Sequence, residues 1–319
     1  MRLASLLIIF TACICSGVAA ASSKTYKFSY EWFLPPHNPS QSKNGMVEIF
    51  VPVAITDQHQ TVHSVRIGSS HPQLIKAGRY DTEQTHGNRF WHLTLAKLPP
   101  KEVSFIFQYE IERRGDNRPD LTPAINQTYS PSDLLDNELY LRSDARLGPQ
   151  VAALGDTPVK TKTPLQIAEA TFNHVVETQD YTPQPPKQSS CRGFHDLFTS
   201  MARSQQIPTK VDMGFTIPQK SPAGEITNYH CWVEFYLPKI GWRPADAALT
   251  KKAMANTILF GYLPPDRIRF STGRNITLNS YQKAPPLREF IFPHVEVGGK
   301  TIPKIKTKFS YQEIKSYSH

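Results

Sequence analysis

Apolar and polar side chains alternate through several segments near the amino terminus, and this pattern constrains the fold most strongly. Every second position is apolar in residues 26–32, 47–53 and 103–111. A period of two places the apolar side chains on one face of a β-strand. Shorter apolar runs at residues 62–67 and 90–95 are separated from these by turn-forming sequences. We therefore predict an antiparallel sheet or sandwich of about 100 residues.

A different pattern, helices followed by strands, occupies the middle of the chain. Thr163 is a candidate helix N-cap, Pro164 suits the first helical position and Gln166 completes a capping box. A second helix is predicted to begin near Cys191, because apolar residues recur after it at helical spacing.

Two strands, at residues 209–216 and 228–237, follow the second predicted helix. Helices followed by antiparallel strands are typical of an α+β fold. The predicted organisation has four parts: a signal peptide at residues 1–21, an N-terminal β-sandwich-like domain at residues 22–135, an α+β domain at residues 136–255, and a C-terminal β extension packed on the core at residues 256–319.

The first residues have the features of a secretory signal. A basic start at Arg2 is followed by an apolar stretch and by small residues suited to cleavage. The apolar stretch is too short to span a bilayer, so we expect a secreted or periplasmic protein with no integral membrane span. A lipid anchor at Cys13 is an alternative, but Phe10 fits lipoprotein signals poorly.

The charge of the chain argues against a nucleic-acid partner. Removal of the predicted signal takes away Arg2 and no acidic residue, so the net charge falls from +9 to +8. The Lys and Arg residues are dispersed, without the basic helix or aromatic-interleaved patch typical of nucleic-acid binding.

The spacing of the cysteines gives no metal-binding motif, because the chain has no C-x-x-C pair. We therefore expect no metal site. We also expect no cofactor.

Cys191 is a candidate nucleophile. It follows Ser189 and Ser190, which can cap a helix, and the first turn of a helix favours thiolate over thiol. An inert, packed cysteine at a helix start remains the alternative. His230 lies in a predicted strand and Asp246 follows a predicted turn. A thiol, an imidazole that takes its proton and a carboxylate that orients the imidazole are the minimum arrangement for acyl transfer through a thioester.

The sequence segments around these residues resemble those of the transglutaminase-like superfamily, whose core is related to papain-type cysteine proteases. The segment "SSCRGFHDLFTSMARSQQIPTKVDMGF" resembles its cysteine helix and following strand, and "HCWVEFYLPKIGWRPADA" resembles its H-x-W-x-E strand and G-W-x-x-x-D turn. The resemblance implies that the α+β domain is a transglutaminase-like catalytic domain, with Cys191 at a helix N-terminus packed on an antiparallel sheet. It also implies that Cys191 is the nucleophile, His230 the base and Asp246 the third member of a catalytic triad.

This chain departs from the family pattern at two positions beside the cysteine. Ser189 stands where a glycine is frequent, and Gly193 stands where many members have Asp. The oxyanion donors are expected to be the Cys191 backbone N–H and an upstream side chain such as Gln184 or Gln188.

The expected activity is hydrolysis of amide bonds in proteins, peptides or cell-wall peptides by an exported thiol enzyme. Transfer of the acyl group to an amine is an alternative activity that uses the same triad. A non-catalytic envelope binding or assembly module with an idle triad is a third possible function.

We expect Cys231 to be a free, packed thiol, because it and His230 should point to opposite faces of the strand. A Cys191–Cys231 disulfide is the alternative that an oxidising compartment permits. His195 and Asp196 are expected to be exposed.

Overall fold

The computed structural model of the chain describes residues 23–37, 45–115, 120–142, 162–181, 191–254 and 256–314. Several sequence predictions lie outside these residues: the signal peptide at residues 1–21, the anchor candidate Cys13, the caps Ser189 and Ser190, and the oxyanion candidates Gln184 and Gln188. Within the described residues, no helix has both the length and the apolar character needed to cross a membrane.

Strands dominate the described structure. The strands are β1 (Ser23–Leu34), β2 (Val47–Pro52), β3 (Gln60–Ser69), β4 (Arg79–Thr82), β5 (Arg89–Leu95), β6 (Val103–Arg114), β7 (Thr209–Thr216), β8 (Ala223–Ile226), β9 (His230–Leu237), β10 (Gly241–Ala245), β11 (Arg267–Thr272), β12 (His294–Val297), β13 (Lys300–Thr301) and β14 (Lys306–Ile314). The helices are α1 (Pro72–Ala77), α2 (Pro131–Asp136), α3 (Pro164–Thr178), α4 (Cys191–Ser204) and α5 (Ala247–Lys252), with 3₁₀ turns at Thr122–Ala124 and Glu138–Tyr140.

These strands form three sheets. Their orders are β3-β6-β1-β14-β8, β10-β9-β7-β11 and β13-β12-β2-β5-β4. Neighbouring strands in the described sheets pair antiparallel. The α+β prediction is therefore confirmed.

The alternate apolar side chains predicted in β1 pack in the core between two of the sheets. Every second side chain from Tyr26 to Trp32 is fully buried. The Phe28 ring lies 5.1 Å from Phe215 of β7 and 5.6 Å from Phe270 of β11. One apolar core thus joins the first sheet to the β10-β9-β7-β11 sheet, because aromatic rings on both inner faces interdigitate.

The last described strand, β14, lies beside the first described strand, β1. In the ladder of β14 with β1, Phe309 pairs with Tyr30, and the other edge of β14 pairs with β8. The predicted domain boundaries remain predictions.

Helix α3 begins as the sequence predicts. Gln166 N–H donates to Thr163 Oγ1, and Thr163 N–H donates to Gln166 Oε1 at 2.9 Å. This capping box satisfies two N–H groups that a helix start leaves unpaired. Helix α3 packs against α4, and α4 packs on β7 and β9. The first residue of α4 is thereby held against the start of β9.

Candidate active site

Cys191 is the first residue of α4, and its side chain forms a disulfide with Cys231 of β9. The S–S distance is 2.10 Å and the Cα atoms are 5.9 Å apart, within the range that a disulfide spans. The expectation that Cys231 is a free thiol is therefore wrong. The physical reason is the packing of α4: Phe198 of the helix contacts Phe235 of the strand at 6.0 Å. Because side chains alternate along β9, Cys231 lies on that same face.

His230 and Asp246 are brought together by the ends of two neighbouring elements. His230 begins β9, and Asp246 caps α5, where its Oδ1 accepts the Leu249 N–H at 2.9 Å. His230 Nε2 lies 2.7 Å from Asp246 Oδ2. A carboxylate at this distance fixes the orientation of the imidazole and leaves Nδ1 as the nitrogen for proton transfer.

Arg267 of β11 is the second partner of the Asp246 carboxylate. Its Nη2 donates to Asp246 Oδ2 at 2.8 Å, its other terminal nitrogen donates to Asp266, and it is fully buried. Burial alone would raise the pKa of Asp246, but the charges of His230 and Arg267 and the His195 imidazole hold this pKa well below its usual range. The carboxylate is therefore ionised across the physiological pH range.

His195 lies close to both the disulfide and the His230–Asp246 pair. One of its ring nitrogens lies within 4.8 Å of both sulfurs, and its Nε2 lies 3.6 Å from Asp246 Oδ1. Its ring meets that of His230 edge-on, with the centroids 6.2 Å apart. The disulfide and the His230–Asp246 hydrogen bond thus exist together, although sequence reasoning treated a disulfide and a His230 facing Cys191 as alternatives.

The prediction that His195 and Asp196 are exposed is wrong. His195 is fully buried, and burial lowers the pKa of its imidazole despite the nearby Asp246 carboxylate. Asp196 is buried as well and accepts hydrogen bonds from Arg274, at 2.9 Å, and from Arg288. Both residues lie on the side of α4 that packs into the protein.

A backbone donor also points at the candidate nucleophile. The Cys231 N–H lies 3.1 Å from Cys191 Sγ. In a reduced site this N–H stabilises negative charge on the sulfur, because hydrogen bonding to a charged form lowers its pKa. The donor belongs to the backbone, so it does not depend on the Cys231 side chain.

Sequence reasoning missed two residues of this site. His195 lies four residues after Cys191, and that spacing places both on one helix face, so the C-x-x-x-H pattern was available as a signal. Arg267 lies 21 residues beyond Asp246 and is delivered by pairing of β11 with β7. No local pattern marks it.

A sequence-family model matches part of this chain. Residues 156–247 match the sequence model of the Transglutaminase-like superfamily. These residues include Cys191, His230 and Asp246. An uncharacterised protein of Haemophilus influenzae is 24% identical over 39% of this chain and 42% of its own length. The chain therefore spans less than half of that relative.

The fold is similar to that of one solved structure. A "putative cysteine protease" from Cytophaga hutchinsonii is 12% identical, with a TM-score of 0.56 over 94% of this chain and 93% of its own. The periplasmic domain of TgpA from Pseudomonas aeruginosa is 13% identical, with a TM-score of 0.29 over 73% of this chain and 91% of its own. The protein is thus an α+β protein in which residues 156–247 match the model of the transglutaminase-like superfamily.

Proposed function

We propose that this protein is an exported thiol enzyme that hydrolyses amide bonds in proteins, peptides or cell-wall peptides. Cys191 is the nucleophile, His230 the general base and acid, and Asp246 the residue that orients His230. The observation that carries the proposal is the 2.7 Å hydrogen bond from His230 to Asp246 inside a transglutaminase-like domain.

The active form in this proposal is the reduced protein. A sulfur bonded to Cys231 cannot attack a carbonyl, so catalysis first requires an external dithiol. The dithiol supplies two electrons and two protons, becomes a disulfide itself and releases Cys191 and Cys231 as thiols. The Cys231 N–H and the start of α4 then favour the Cys191 thiolate.

The reaction follows from these roles. His230 takes the Cys191 proton, and the thiolate adds to the amide carbonyl. Collapse of the adduct breaks the C–N bond, His230 returns the proton to the leaving amine, and an acyl thioester remains on Cys191. Water then attacks the thioester with His230 as base, releasing a carboxylic acid and restoring the thiol. Asp246 stabilises the imidazolium that forms in each half-reaction.

Product analysis with and without a dithiol tests this proposal. The mature protein is incubated with a peptide mixture and with muropeptides, and new amines, acids and isopeptides are identified by mass spectrometry. Hydrolysis is expected in the reduced wild type and absent in Cys191→Ala. Because the backbone donor to Cys191 is unaffected, Cys231→Ser is expected to hydrolyse without any reductant.

The same assay separates the competing functions. Isopeptide products in place of free acids would assign acyl transfer to an amine. Unchanged substrates with the reduced wild type and with Cys231→Ser would contradict the enzyme proposal and favour an envelope module with an idle triad.

A further inference from the structure

The cluster of Cys191, His195 and Cys231 has the composition of a metal site. One ligand atom from each residue lies within 4.8 Å of the others, and all three residues are buried. Cys191 and His195 are four residues apart on one face of α4, and Cys231 faces them from β9. Two sulfurs and an imidazole nitrogen are the donors that zinc prefers in proteins.

His195 provides an independent indication of a ligand. Both of its ring nitrogens are buried and have no partner within 3.5 Å among the described residues; the Asp246 carboxylate lies 3.6 Å from Nε2, just beyond that distance. A buried polar atom without a partner costs about 1–3 kcal/mol, so an unpartnered group in a native site calls for an explanation. A cation held between the two sulfurs and this imidazole provides the missing partner.

We propose that the reduced protein binds a thiophilic divalent cation of the Zn²⁺ class through Cys191 Sγ, Cys231 Sγ and a ring nitrogen of His195. Reduction by an external dithiol breaks the S–S bond, and binding releases the two thiol protons to solvent. In a tetrahedral zinc site with two thiolates the sulfurs lie about 3.8 Å apart, which the broken disulfide allows. Water takes the fourth position.

Metal binding and amide hydrolysis compete for the Cys191 sulfur in this arrangement. A Cys191 sulfur bound to the cation shares an electron pair with it and is a weaker nucleophile than the free thiolate. The proposal does not rest on the catalytic function, because the three ligands bind a cation whether or not His230 acts as a base. The proposal adds a second state of the reduced site, in which the Cys191 sulfur is bound to the cation.

Cobalt binding tests the proposal without any substrate. The mature protein is reduced with a phosphine, freed of reductant and titrated with Co²⁺. We expect thiolate-to-cobalt charge-transfer absorption and the visible bands of tetrahedral cobalt, both bleached by one equivalent of Zn²⁺. The oxidised wild type serves as a control that needs no mutation and is expected to give neither signal.

Matched variants assign the ligands. Loss of a hydrogen-bond partner of a metal ligand already weakens binding about 10- to 100-fold, so His195→Gln is expected to weaken it by at least that much. Cys231→Ser removes one thiolate and should reduce the charge-transfer intensity. His230→Gln lies outside the cluster and should bind as the wild type does, with circular dichroism confirming that each variant is folded.

Two results would overturn the proposal. One is the absence of cobalt bands in folded, reduced wild-type protein. The other is binding that survives His195→Gln and is lost in His230→Gln, because the cation would then lie at the proposed catalytic pair. Cobalt binding in a protein that hydrolyses nothing would refute the proposed enzyme and leave the metal site standing.

Discussion

Gly214 lies directly opposite His230 in the ladder of β7 with β9. A Cβ added at Gly214 would lie 1.8 Å from the Ile268 carbonyl oxygen on β11, a separation that the backbone itself must relieve. The glycine therefore allows β7 to sit between β9 and β11 at the position where the imidazole is presented.

Gly214→Ala is expected to destabilise the protein. Overpacking of this kind costs about 1–3 kcal/mol in the free energy of unfolding, measured by urea denaturation. Gly224→Ala in β8 is the matched control, because the atoms nearest to its added Cβ belong to the Tyr311 side chain and lie 3.5 Å or more away. Equal unfolding midpoints for the two variants would contradict the packing argument.

Arg267 is expected to be essential for the stability of the site. Arg267→Met leaves the buried Asp246 and Asp266 carboxylates without their shared partner. Removing one member of a buried ion pair costs about 3–5 kcal/mol, which equilibrium unfolding would detect. Arg142→Met breaks an exposed pair with Glu138 and should cost less than about 1 kcal/mol. If Arg267→Met lowers the free energy of unfolding as little as Arg142→Met does, the buried ion pairs of Arg267 do not stabilise the protein.

Asp212 is expected to make the protein less stable as the pH rises. Burial, with a contribution from the charge of Glu234, raises the pKa of Asp212 to about 6, whereas an unfolded chain has a value near 3.9. The stability linked to this raised pKa is fully present below about pH 4 and is lost as the pH rises through about 6. Asp212→Asn removes the titration and keeps an oxygen acceptor for the Thr272 hydroxyl.

Unfolding free energies at several pH values check the sign. Between pH 4 and 7, the difference between Asp212→Asn and wild type should move in the variant's favour by on the order of 2–3 kcal/mol. Asp57 provides a control of opposite sign: although burial opposes ionisation, Arg269 lowers its pKa. The corresponding difference for Asp57→Asn should move against the variant as pH rises toward about 4 and stay nearly level above about pH 5, because the stability linked to a lowered pKa is lost only below the unfolded value. A pH-independent difference for Asp212→Asn would refute the assignment.

Local patterns predicted the elements that carry the site. The strand at residues 209–216, the helix that begins at Cys191 and the capping box of Thr163 with Gln166 all appear as the sequence indicated. Each of these depends on residues close together in the chain, through periodicity or capping.

Contacts between distant elements were less predictable. The strand period separated Cys231 from its neighbour His230, but it did not reveal that the Cys231 face turns toward α4. Arg267 reaches Asp246 because β11 pairs with β7 after a long connection, which no local pattern encodes. His195 was assigned to solvent because a polar residue on a helix is usually exposed.

The central claim is that Cys191, once released from Cys231, is a thiolate activated by His230. Iodoacetamide labelling at neutral pH, followed by mass mapping, tests it most directly. In folded Cys231→Ser, Cys191 should be labelled without reductant, and adding His230→Gln should slow labelling at least about tenfold, because the thiol returns toward its ordinary pKa. The wild type should be labelled only after reduction. A folded Cys231→Ser protein that stays unlabelled, or that is labelled equally fast without His230, would contradict the account.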